Sequence, residues 1–72
     1  MKNIDLKTVV WKEGEYFVAW CLNVGISSFG QSREEALASL QEALELYFED
    51  TPLSTVSQVE HPEFIPLNFQ HA

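Results

Sequence analysis

From Ile4 to Lys12 the side chains alternate, with Ile4, Leu6, Thr8 and Val10 on one face and Asp5, Lys7, Val9 and Trp11 on the other. This period of two predicts a strand, covered on both faces toward Trp11. Lys12-Glu13-Gly14-Glu15 follows as a turn, with Gly14 supplying the positive φ of a tight hairpin. Tyr16 to Leu22 is uncharged and rich in β-branched and aromatic residues, and predicts a second strand. Tyr16, Val18, Trp20 and Leu22 share one of its faces; Phe17, Ala19 and Cys21 share the other. A strand apolar on both faces lies at the centre of a sheet or at an interface. Asn23-Val24-Gly25 reads as a second turn and Ile26 to Gly30 as a short third strand, Ile26 and Ser28 opposite Ser27 and Phe29.

The period then changes to that of a helix. Ser32-Arg33-Glu34-Glu35 is a capping box: the Ser32 hydroxyl accepts from the Glu35 amide, and the Glu35 carboxylate is expected to reach back to the Ser32 amide. Ala36, Leu37, Leu40, Ala43, Leu44, Tyr47 and Phe48 form one apolar stripe, while Glu34, Glu42, Glu45 and Glu49 face elsewhere. Leu46 lies on the outer side, roughly opposite Leu37. Thr51-Pro52 ends the helix, because the residue before proline is pushed out of the α region. Residues 51–63 read as irregular, with Val56 and Val59 as anchors. Phe64 to Phe69 reads as a fourth strand that Pro66 confines to a sheet edge, and residues 70–72 as a frayed end. The order β-β-β-α-β predicts an α+β fold: a three-stranded antiparallel meander with one amphipathic helix on one face. The fourth strand returns beside the first through a right-handed crossover. Residues 1–72 make one domain, with its core in 4–50.

Composition narrows the functions open to such a domain. A chain of 72 residues, 46% apolar with nine aromatics, folds but buries a small core. Self-association is a common remedy, and a homo-oligomer is expected. The formal net charge is −7, from eleven acids and four bases. Residues 34–50 carry Glu34, Glu35, Glu42, Glu45, Glu49 and Asp50 and no base. Phosphate binding needs clustered Lys and Arg, so direct nucleic-acid binding is not expected, nor is binding to anionic membranes. A basic protein suits this field. No apolar run reaches the length of a membrane helix, the N-terminus has no signal-peptide core, and a single cysteine, Cys21, suits a reducing cytoplasm.

Catalytic chemistry finds little footing. His61 precedes Pro62 in a loop, His71 is penultimate, and Cys21 belongs to an apolar strand, so no nucleophile–base pair is indicated. One cysteine and two distant histidines do not make a zinc site. Glu42, Glu45 and Glu49 share one helix face, which suits solvent better than a metal ion. No Gly-rich phosphate loop is present, and no cofactor or catalytic residue is assigned. Three features point instead to a partner. Glu49 and Asp50 sit at the helix C-terminus, where the dipole favours positive charge. Leu46 stands on the outer helix face. Trp11 and Trp20 either complete the core or anchor an interface, where tryptophan is enriched.

Gly14-Glu15-Tyr16-Phe17-Val18-Ala19-Trp20-Cys21, Gly25, Ser28-Phe29-Gly30-Gln31-Ser32-Arg33-Glu34-Glu35-Ala36-Leu37 and Glu42-Ala43-Leu44-Glu45-Leu46-Tyr47-Phe48-Glu49 together resemble the HicB-like antitoxin family. The structural signature is carried by Gly14, Tyr16, Gly30, Ser32 and Glu35, with Gly14 and Gly30 setting turns. The resemblance implies a partial RNase H-like fold. It also implies a non-enzymatic, cytoplasmic module that sequesters a small basic RNA-cleaving toxin of the HicA type. Many members of that family carry a C-terminal DNA-binding domain. Residues 51–72 hold no Lys or Arg and include Pro52, Pro62 and Pro66, so a stand-alone member without that domain is expected. The residues expected to meet the partner are Glu42, Glu45, Leu46, Glu49, Asp50 and Trp20. The alternative is an orphan homo-oligomer that serves a different protein. The enzymatic alternative, a metal-dependent nuclease, has only Asp5 as a strand-borne acid, and two-metal chemistry needs several.

Overall fold

A computed structural model describes residues 4–70 of the chain; His71 lies outside them. Its elements are β1 (Thr8–Glu13), β2 (Tyr16–Cys21), β3 (Ile26–Gly30), α1 (Arg33–Asp50) and a short 3₁₀ turn, Leu53–Thr55. The sheet is an antiparallel meander in the order β1-β2-β3, and α1 lies over β2 and β3. The expected α+β fold is present.

The β1–β2 hairpin closes on the two residues Gly14 and Glu15, with Glu13 paired to Tyr16. Gly14 has φ +64° and Glu15 does not have positive φ, the arrangement in which glycine takes the first central position of a type II′ turn. The β1 strand begins later than the alternation suggested. Ile4 to Lys7 lie outside it, and the Lys7 amide donates to Asn23 Oδ1 at 2.7 Å instead of to a strand partner. The β2–β3 turn is closed by the Gly25 amide donating to the Cys21 carbonyl at 2.9 Å.

The register fixes the two faces. Val10, Ala19 and Ser28 lie side by side, as do Lys12, Phe17 and Gly30, and Thr8, Cys21 and Ile26. These rows face the helix. Ala19 and Cys21 pack on Ala36 and Leu40 of α1, with Leu6, Val10, Phe17, Val24, Ile26 and Leu44 around them. The small side chains Ala19 and Ala36 let the helix come close to the sheet. Of the helix stripe, Leu37 and Tyr47 are both 37% exposed, Leu37 at the side of the stripe and Tyr47 in the last turn of the helix.

Ser32 caps α1, its Oγ accepting from the Glu35 amide at 3.1 Å. The return arm differs from the expected box: the Glu35 carboxylate accepts from the Gln31 amide at 2.9 Å, one residue further back than Ser32. Thr51, before Pro52, is extended and ends the helix. Val56 and Val59 are half-buried, and Asn23 Nδ2 donates to the Ser57 carbonyl at 2.7 Å, fastening this segment to the β2–β3 turn.

The fourth strand is not formed among the described residues. Residues 64–69 form no strand, and the sheet keeps the order β1-β2-β3. An apolar hexapeptide satisfies strand propensity, yet Pro66 has no amide to donate to a ladder, so the fold is β-β-β-α. Gly30 also departs from its expected role as a turn residue. It ends β3, buried, at the point where the first turn of α1 crosses closest.

Candidate functional site

The residues expected to meet a partner fall on two opposite layers. Glu42, Glu45, Leu46, Glu49 and Asp50 are all exposed on α1. Ala36 and Leu40 point to the sheet, so at 100° per residue Glu42, Glu45 and Glu49 stand on the far side of the helix. Leu46, 66% exposed, stands beside them. The last turn has no basic residue, so nothing on the helix itself balances Glu49 and Asp50.

Trp20 belongs to the other layer. It alternates with the buried Ala19 and Cys21 and emerges on the sheet face away from α1. There the register places Val9 beside Trp20 and Ser27, Trp11 beside Val18 and Phe29, and Glu13 beside Tyr16. The rings of Trp11 and Trp20 lie 6.2 Å apart and tilted by 56°, those of Tyr16 and Phe29 5.6 Å apart and tilted by 58°, within the range of favourable aromatic pairs. Val18, between the two pairs, is only 9% exposed although no second layer of described elements covers it. The rings shelter it and remain open themselves: Tyr16 and Trp20 are 42% exposed and Phe29 is 67% exposed. Trp11 Nε1 points to the Glu13 carboxylate at 3.5 Å.

The alternation along β3 already separated Phe29 from the core side, but only the cross-strand register shows that it completes a four-ring patch. Trp20 is thus an exposed member of an aromatic face, and it is not adjoining the acidic helix surface. A groove runs along the β1 edge of this face, lined by Thr8, Val9, Trp11, Trp20 and Leu22 and bordered by Pro62, Glu63 and Phe64.

On the third side, Asp5, Lys7, Asn23 and His61 line a polar hollow at the start of β1. Asp5 lies before the strand and not on it. His61 has φ +51°, a left-handed conformation costly for a residue with a Cβ. Among the described residues, no group of three or more His, Cys, Asp or Glu side chains is placed to hold a metal ion. Cys21 is a free, buried thiol in the core. No described helix is long and apolar enough to cross a membrane.

A model of a family of unknown function, DUF7387, matches residues 2–65. No curated protein and no solved structure matches the chain.

Proposed function

The chain belongs to DUF7387, a family of unknown function, and we propose that it is a non-catalytic protein-binding module of the HicB-antitoxin kind, whose ligand is a small basic protein. The outer face of α1 carries this proposal: Glu42, Glu45, Glu49 and Asp50 are exposed around Leu46, with no base in the last turn. An apolar side chain within a ring of like charge is the composition of a docking spot for a cationic surface. The acids steer the encounter and the leucine supplies dry contact. Sequestration of an RNA-cleaving toxin is the activity that such binding serves. A reducing cytoplasm suits both that role and the buried free thiol of Cys21.

The test is affinity capture from the native host, followed by reconstitution of whatever small basic protein is recovered. We expect that protein to be released by high salt, to cleave RNA when free, and to stop when the chain is added. Glu45→Lys with Glu49→Lys should weaken binding about tenfold or more at low salt. Unchanged affinity of that variant would remove the helix face as the site. Recovery of the chain alone would remove the basic partner.

A further inference from the structure

Two apolar surfaces of this chain match each other in size and chemistry. One is the aromatic sheet face, with Phe29 at its most exposed corner. The other is the segment after Pro62, where Phe64, Ile65 and Leu67 are 86%, 73% and 87% exposed. We propose that two copies of the chain associate by reciprocal exchange, residues 64–67 of each lying across the aromatic face of the other. This surface is separate from the acidic helix face and does not depend on it.

The proportions favour that occupant. Four extended residues span about 13 Å, and three paired strands are about 10 Å across, so the segment crosses the whole sheet. Residues 64–70 carry no charge, and Pro66 brings no amide that would lose water on burial. Its fixed φ also lowers the entropy lost when the segment is ordered. Three side chains of this size offer on the order of 450 Å². Counted on both partners and in both directions, the exchange buries roughly 1,800 Å², within the range of stable specific interfaces.

The chain's own segment is poorly placed to cover its own face. Phe64 borders the groove beside Val9, Trp11 and Trp20, and among the described residues none after it lines that groove. The molecule measures 49 × 28 × 21 Å, with a radius of gyration of 14.2 Å. A compact chain of this length would have about 11 Å, so part of it projects from the body. Charge points the same way. The copies carry seven net negative charges each, and meeting through the sheet faces holds the acidic helices at the two far ends of the pair. The gain is also structural, because a domain with so few buried side chains is marginal alone.

Sedimentation equilibrium on the full chain tests the exchange, with loading up to about 200 µM. Wild type should approach twice the 8.2 kDa of one chain. Phe64→Ser with Leu67→Ser, and separately Phe29→Ser, should stay at the mass of one chain with unchanged circular dichroism, since all three side chains are exposed. An equimolar mixture of these two variants restores one of the two contacts, and its mass should exceed that of either variant alone. Wild type sedimenting as one chain throughout would overturn the proposal. So would a dimer that survives the segment variant, or a mixture that gains nothing. Tryptophan emission that shifts in the segment variant while wild type stays monomeric would show the segment covering its own face, and would overturn the proposal equally.

Discussion

A Cβ built on Gly30 would stand 2.6 Å from the Ala36 amide nitrogen and 2.8 Å from the Glu35 carbonyl carbon. Both are backbone atoms of the first helical turn and cannot swing aside as a side-chain tip does. We therefore expect Gly30→Ala to destabilise the fold by about 3 kcal/mol, through forced separation of helix and sheet. Gly14→Ala meets open space and suffers only from its φ of +64°, a cost of about 1 kcal/mol. Urea unfolding of the two variants checks the ranking, and equal losses would refute the close approach. The difference between these glycines explains what a sequence can reveal. Gly14 lies between two alternating runs, and its turn is a local necessity readable from its neighbours. Gly30 also reads as punctuation, but its true constraint is an atom six residues on, brought near only when the helix docks. The Ser32 cap was legible for the same reason as Gly14, and the return arm of Glu35 missed by one residue because side-chain reach is not encoded in spacing.

Helix α1 was legible from its period, β2 from its uncharged run of β-branched and aromatic residues, and β3 from the turn signals that bound it. The start of β1 was not, since Ile4 and Leu6 continue the alternation while Asn23, far along the chain, takes the Lys7 amide. The segment 64–69 misled for a related reason. Propensity favours a strand, but a strand needs a partner, and the pattern of one chain does not say whether an edge is free to receive it. At the helix C-terminus the conflict is electrostatic. Glu49 and Asp50 stand where the dipole disfavours negative charge, and no basic side chain follows in the last turn. Replacing both by lysine should raise stability by about 1 kcal/mol in total, read as a higher thermal midpoint at low salt. The same substitutions take the four-acid patch proposed to attract a basic partner from a net charge of −4 to zero. A rise in stability with a fall in binding would mark these acids as retained for contact. A variant no more stable than wild type would show that solvent already screens the dipole.

The whole molecule is two layers with opposite character: an outer helix face that is acidic, and an outer sheet face that is aromatic. Neither character was hidden in the sequence, but their separation was. The sequence names Trp20 and the helix acids alike as partner contacts, and only the sheet register, with Ala19 and Cys21 turned to the helix, sets them on opposite sides. The separation has a measurable consequence. If two copies meet through their sheet faces, their helices are held apart by two sheets and the packed segments, about 30 Å at about 10 Å per layer. That distance exceeds the screening length of about 10 Å at 0.1 M salt. Repulsion between the two sets of acids is therefore already weak, and the contacts that form are apolar. Self-association should change less than about threefold between roughly 0.05 and 0.5 M NaCl, because residues 64–67 are uncharged and the helix acids lie far from the interface, which leaves Glu13 and Glu63 as the acids near it. Glu45→Lys with Glu49→Lys should leave it equally unmoved. Binding of a basic protein to the helix face should fall steeply over the same range, since it rests on exposed charge. Sedimentation and titration on the same preparations separate the two responses. A dimer that strengthens severalfold with the charge-reversed helix would place the helix acids at the self-interface and collapse the two surfaces into one.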